Sequence, residues 1–345
     1  CYKKLNMSKK NSSVNLKKEF KDYKDLSIIF SNFKKKLDTL NKKKYLVAVS
    51  GGPDSLALAA LTKAYRFCRK TKFYYVLVDH NIRKNSSNEA KKVKNLLKKR
   101  YFNLRILLNK KKITKNIQAE ARNIRYDLLN NFCKKNKIKI ILTAHNLEDQ
   151  VETFLIRLSR GSGLKGLSAM KALYKFNNQV SLFRPLLDTQ KHFLIKISKE
   201  IFGKYFKDPS NKNEKYLRTK VRRLKRPLEK SGIKYDKIFK SIQNLSQSKT
   251  TLEEYLNNIF KELIKKINGK IYINFKKFKN LNKDTKIALI NQSIKQLKSN
   301  YYDLRSKKVE NLIRSLDQKK FKSSSLGGCV FFKKGEDLCL KTEKS

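Results

Sequence analysis

The chain has 345 residues, more than one typical domain and enough for two or three buried cores. Its 84 Lys+Arg against 28 Asp+Glu leave a formal charge of +56, an excess suited to a polyanion such as nucleic acid, although abundant Lys, Asn, Ile, Phe and Tyr also fit a compositionally biased genome. Five cysteines without a Cys-x-x-Cys pair or zinc spacing indicate no disulfide framework and no iron–sulfur site, and no apolar run reaches the roughly 18 residues that span a bilayer, so a soluble protein with free thiols is expected.

Residues 1–20 are basic, acid-poor and rich in serine and asparagine, without the apolar core of a secretory signal. They are expected to be poorly ordered, with Met7 a more natural start than Cys1 and an organellar transit segment as the other reading. The amphipathic LSIIFSNFKKKL at 26–37 predicts a leading helix. Tyr45–Leu58 then reads as an apolar strand, a tight loop Ser50-Gly51-Gly52-Pro53-Asp54-Ser55 and a helix start. Two glycines let backbone N–H groups approach an anion closely, and the helix aims its free amides and positive dipole end into the same space, so the loop suits phosphate. It is not a Walker A loop, because no lysine lies between Ser50 and Thr62. A carboxylate at Asp54 beside a phosphate implies a divalent cation, Mg²⁺, between the two negative groups. An ordinary strand-to-helix turn, in which Gly and Asp are common, explains these residues equally well at this point.

After a helical pattern over 55–69, apolar strands at 73–80, 104–109 and 138–145 alternate with helical stretches at 87–100 and 116–135. This alternation predicts an α/β fold with a parallel, doubly wound sheet whose ligands sit at the carboxyl ends of the strands. Ser50, Asp79-His80 and Thr143-Ala144-His145 each follow a strand and so converge on one sheet edge. Either histidine alone reads as a strand-end residue satisfied by backbone; two at equivalent positions, in a chain with three, point to a site. In the helical segment that follows, His145, Asp149 and Glu152 share a face, whereas the helix dipole by itself accounts for a single carboxylate at Glu148 or Asp149. Arg160-Gly161-Ser162-Gly163 ends this helix in a flexible loop.

Together, the Ser-Gly-Gly-Pro-Asp-Ser loop, QAEARNIRYDLL at 118–129, TAHNLEDQVETFLIRLSRGSGLKGL at 143–167 and SNKNEKYLRTKVRR at 210–223 resemble the tRNA(Ile)-lysidine synthetases of the PP-loop (N-type ATP pyrophosphatase) superfamily. The loop identifies only the superfamily; the later blocks are specific. The chain departs from the family at His145-Asn146, usually His-His, and at Thr219, usually Asn. The resemblance implies a ligase that joins L-lysine to C2 of the wobble cytidine of the CAU anticodon of tRNA(Ile). ATP first adenylylates the C2 oxygen with release of pyrophosphate, and the lysine ε-amine then displaces AMP. It implies that Ser50, Gly51, Gly52, Pro53, Asp54 and Ser55 bind ATP and that Asp54 and Asp149 carry Mg²⁺. Arg122 would neutralise charge on the α-phosphate, His145 would meet a phosphate, and Asp149 and Glu152 would bind lysine or take its proton. Ion pairs of Arg122 with Glu120 or Asp127, and of Glu152 with a cation on a neighbouring turn, are the structural alternatives.

The resulting layout has a basic extension and leading helix at 1–43, a PP-loop domain at 44–208, a mainly helical tRNA-binding domain at 209–325 and a short β segment at 326–345. The turn-rich Lys207–Asn211 suits the boundary. Arg218, Arg222, Arg223 and Arg226 fall within three helical turns and are expected to hold tRNA phosphates, and residues 235–297 read as helical from their i, i+3, i+4 apolar spacing. The resemblance also implies a bacterial cytoplasm or an organelle interior, and a homodimer, as the family is often dimeric.

Overall fold

The computed structural model describes residues 24–343 apart from 83–84, 112, 114–115, 208–215, 299–305 and 319–320. The expected order of residues 1–20, the turn at 208–211 and the first part of the 210–223 block lie outside the described residues. Two compact units divide the chain, residues 1–246 and 247–345.

The first unit is built on a six-stranded sheet of β1 (Lys44–Ala48), β2 (Lys72–Asp79), β3 (Leu104–Leu108), β4 (Ile140–Leu142), β5 (Leu173–Lys175) and β6 (Ser181–Phe183). Its order is β3-β2-β1-β4-β6-β5, parallel throughout except for the antiparallel edge strand β5. Helix α1 (Lys24–Leu40) precedes β1, and α2 (Pro53–Cys68), α3 (Ser86–Lys99) and α4 (Ile117–Lys135) make the first three crossovers. Helix α5 (Leu147–Leu158) and the single turn α6 (Leu164–Leu167) follow β4, and α7 (Lys191–Phe202) follows β6. Leu56 to Leu61 on α2 are all buried, because Leu26, Phe33 and Leu37 of α1 and Leu194, Ile197 and Ile201 of α7 share a core with them on one face of the sheet. Tyr126, Leu129 and Phe132 of α4 cover the other face with Leu46, Val76 and Ile141. Sheet growth runs outward from β1 through β2 to β3, then reverses through β4, β6 and β5, so the switch point lies between β1 and β4. Ligands of such sheets bind in the crevice at the carboxyl ends of these two strands.

The predicted strand 138–145 shortens to β4, which leaves Thr143, Ala144 and His145 as a loop at that crevice. Helices α8 (Leu217–Arg223) and α9 (Lys225–Lys230) precede the long α10 (Tyr235–Leu263). The stretch 235–297 is not helical throughout: Ile264–Ile267 (β7) and Lys270–Asn274 (β8) form a hairpin whose turn, Asn268-Gly269, has φ of 48° and 72° at its two residues. An Asn-Gly pair between alternating residues is a type I′ turn signal that outweighs helical spacing on either side. β8 pairs with β11 (Asp337–Thr342), and β10 (Cys329–Lys334) and β9 (Ser323–Leu326) complete a five-stranded antiparallel sheet. The terminal β segment is therefore the middle of a sheet, packed with α12 (Lys283–Leu297) and α13 (Ser306–Leu316) around Ile271, Ile273, Phe331, Leu338 and Leu340; the short α11 (Phe275–Lys279) adds Phe278. Among the described residues no helix is long and apolar enough to cross a membrane.

Candidate active site

The loop after β1 is held from inside and outside. The Ser55 hydroxyl accepts the Ser50 N–H at 3.1 Å and donates to the Gly52 carbonyl at 3.0 Å, and the Ser50 hydroxyl lies 3.2 Å from it. Gly51 has φ +85°, a left-handed conformation, and a Cβ there would lie 2.5 Å from Cγ2 of Val93 on α3. Its carbonyl accepts the N–H of Phe206 at 3.0 Å. Gly52 meets no such wall, so Gly51 is the position where only glycine fits. Gly51→Ala is expected to cost about 2–4 kcal/mol, from the left-handed backbone and from overpacking. Calorimetry should show a lowered Tm, with a raised KM for ATP, and adding Val93→Ala should recover only the packing share. Full recovery, or none, would refute this division of causes.

Pro53 opens α2 at its first position, where a missing N–H costs nothing, and puts Asp54 in the first turn. Asp54 Oδ1 is buried without a hydrogen-bond partner, and Lys191 Nζ stands 3.9 Å from Oδ2. Burial pushes this carboxyl up to about 6; Lys191 opposes the shift, and the negative charges of Asp149 and Glu148 add to it. A carboxylate with one bare oxygen, beside a second carboxylate and a loop of free amides, is a fitting cation ligand. Among the described residues no three His, Cys, Asp or Glu side chains cluster as a metal site, so such an ion would rest on Asp54, Asp149 and substrate phosphates, the ligand set that suits Mg²⁺.

Helix α5 begins with a capping box: the Asn146 side chain accepts the Asp149 N–H at 3.0 Å, and Asp149 Oδ2 accepts the Asn146 N–H at 3.1 Å. Asn146, the departure from the family pattern, is thus an N-cap. One Asp149 oxygen serves the cap, and the other faces the Arg218 and Arg222 guanidiniums at 3.7 and 4.0 Å. Glu152, 2% exposed, is fully engaged: Arg222 donates to its two oxygens at 2.6 and 3.0 Å, and Arg218 Nε donates to Oε2 at 3.0 Å. Glu148 accepts Lys225 Nζ at 3.0 Å and the Lys191 N–H at 2.9 Å. Arg218, Arg222 and Lys225 therefore face the acidic start of α5, and Glu152 pairs with α8 rather than with a neighbouring turn of its own helix. Arg223 and Arg226 are exposed.

His145 Nδ1 lies 3.0 Å from Thr143 Oγ1, and His80 Nε2 accepts from Arg125 Nε at 3.3 Å. Burial, then the charges of Arg184, Arg218, Arg122 and Arg125, push His145 down to about 3, and burial with Arg125 pushes His80 to about 4. Both rings are neutral at physiological pH. The Arg122 guanidinium lies 5.0 Å over the Tyr126 ring, and among the described residues it pairs with neither Glu120 nor Asp127. Asp79 is spent on its own turn, accepting the Asn81 N–H at 2.9 Å and the Ser87 hydroxyl at 2.7 Å; burial raises its pKa, but these bonds hold it lower still. The structure adds Arg125, Arg184 and Lys191, which no sequence spacing marks, and turns Lys225 of the basic helix toward Glu148.

A family model described as a PP-loop domain matches residues 26–228. The tRNA(Ile)-lysidine synthase of Wolbachia pipientis wMel is 33% identical over 327 residues, covering 93% of this chain and 75% of that protein. The tRNA(Ile)-lysidine synthase of Orientia tsutsugamushi is 42% identical over 184 residues, 52% of this chain and 41% of that one. The U34-tRNA thiolase of Methanococcus maripaludis matches in fold with a TM-score of 0.53 at 22% identity, over 64% of this chain and 78% of its own. With a PP-loop model over more than half its length and lysidine synthases along nearly all of it, the chain belongs to the tRNA(Ile)-lysidine synthase family of PP-loop proteins.

Proposed function

We propose that this chain performs its family's reaction at the β1/β4 crevice: L-lysine is joined to C2 of the wobble cytidine of tRNA(Ile) bearing a CAU anticodon, and ATP becomes AMP and pyrophosphate. The cytidine C2 oxygen attacks the α-phosphate as the bond to pyrophosphate breaks; the lysine ε-amine then bonds to C2, the C2–O bond breaks, AMP leaves and the amine loses a proton. The amides of Gly51 and Gly52, with Ser50 and Ser55, hold the departing pyrophosphate at the start of α2. Mg²⁺ on Asp54 and Asp149 would supply positive charge between phosphates and carboxylates. Arg122, exposed at the start of α4, meets the α-phosphate, and neutral His145 contacts phosphate without adding charge. The acidic start of α5 draws in the cationic amino acid. Glu152, with both oxygens occupied, is a positioning residue that holds Arg218 and Arg222. Arg223 and Arg226, exposed beside them, contact tRNA phosphates. Domain limits near 208 and 325, and a bacterial cytoplasm or organelle interior, belong to the same reading.

The observation that carries it is the bare oxygen of Asp54 beside a glycine loop that lacks a Walker lysine. Incubation with ATP, Mg²⁺, labelled lysine and tRNA(Ile) is expected to put label into the RNA. No incorporation while a positive control works, or sulfur in the product, would overturn the reading.

A further inference from the structure

Arg184 follows β6 and is 6% exposed, yet its Nε has no hydrogen-bond partner. The guanidinium donates to the Lys171 carbonyl at 2.8 Å and lies 5.9 Å from the Tyr174 ring. Among the described residues no carboxylate pairs with Arg184 or with Arg122. Burial and then the charge of Arg122, opposed by Tyr126, make the charged form of Arg184 harder to hold. A buried guanidinium costs several kcal/mol unless an anion answers it, and a planar fork matches phosphate.

Position separates this anion from the pyrophosphate. The sheet order β1-β4-β6 puts Arg184 two strand spacings, about 10 Å, from the end of β1. Lys171, just before β5, and Tyr174, on β5, hold the guanidinium on the β5 side of β6. The charges of Arg122 and Arg125, exposed on α4, act on His145 as that of Arg184 does. A phosphate held in the loop stands two strand spacings from Arg184, a gap that a second chain of phosphates fills.

We propose that Arg184 binds a phosphodiester of the RNA strand next to the cytidine being modified. This rests on the reading of the chain as a tRNA-modifying enzyme. The test titrates the full chain, Arg184→Lys and Arg184→Gln with tRNA(Ile) carrying native or uncharged methylphosphonate linkages 5′ or 3′ to the target cytidine, and separately with Mg–ATP. One methylphosphonate is expected to weaken wild-type binding about tenfold. Arg184→Gln is expected to lose a similar factor on native RNA and then to be indifferent to that methylphosphonate, with ATP affinity unchanged in both variants. Unchanged RNA affinity, additive losses, or a loss of ATP affinity would overturn the proposal, the last assigning the anion to the nucleotide. If neither variant folds by thermal melting, the wild-type response decides: no loss at either linkage overturns it. A wild-type chain that fails to bind or modify native tRNA sinks the functional reading, whereas one that modifies it without coupling to Arg184 sinks only this proposal.

Discussion

Replacing Asp54 with asparagine is expected to lower AMP release at least about 100-fold, the scale of losing one preorganised charge contact, while raising the Tm of the ligand-free chain at pH 8. The two effects share a cause. In the folded chain the carboxyl holds its proton to about pH 6, against 3.8 unfolded. A raised carboxyl pKa makes the folded state bind the extra proton, so this group's contribution falls as pH rises from about 4 to 6 and stays lost above. The difference corresponds to on the order of 3 kcal/mol at neutral pH. The amide of Asp54→Asn has no charge to desolvate, so the variant should melt several degrees higher at pH 8, and the two proteins should converge near pH 4. Mg–ATP should raise the wild-type Tm and leave the variant nearly unmoved. A variant that melts lower at pH 8, or that still responds to Mg–ATP, would break the assignment of Asp54 as the cation and phosphate partner.

Glu152→Ala is expected to destabilise the first unit and silence the enzyme together. Removing a buried carboxylate strands the guanidiniums it holds, which in buried pairs costs about 3–5 kcal/mol. Here Arg218 and Arg222 are 41% and 35% exposed in their side chains, so solvent screening brings the cost below that range, to about 2–3 kcal/mol. Glu152→Ala/Arg222→Ala should cost clearly less than the sum of the two single changes, because the second truncation removes the stranded charge. Urea melts of the four proteins measure the coupling. Additive losses would mean that the pairing is incidental to the packing of α8 on α5.

The glycine loop, the alternating strands and helices, and the convergence of Ser50, His80 and His145 on one edge are legible because strand ends in a parallel sheet are fixed by topology once periodicity is read. What stays hidden depends on long-range contacts. Nothing local tells that Arg218 and Arg222 turn toward Glu152, 66 and 70 residues away, rather than toward solvent. No spacing in the sequence marks Arg184, and only the pairing of β4 with β6 brings it to the strand end near His145. Asp79 shows the reverse error: its position at the edge suggests chemistry, while its own turn consumes both oxygens. The β7–β8 hairpin is signalled by Asn268-Gly269, but apolar residues at helical spacing on both sides mask it.

The bond from the Phe206 N–H to the Gly51 carbonyl ties the phosphate loop to a segment more than 150 residues downstream. During synthesis the strand and helix that flank the loop emerge early, yet the clasp that fixes its carbonyl cannot close until α7 and Phe206 have left the ribosome. Such a distant contact is slow to form and late. The nascent chain thus passes through a stage with most of its sheet present but no finished nucleotide cradle, and it becomes competent for ATP only once almost the whole first unit has been made.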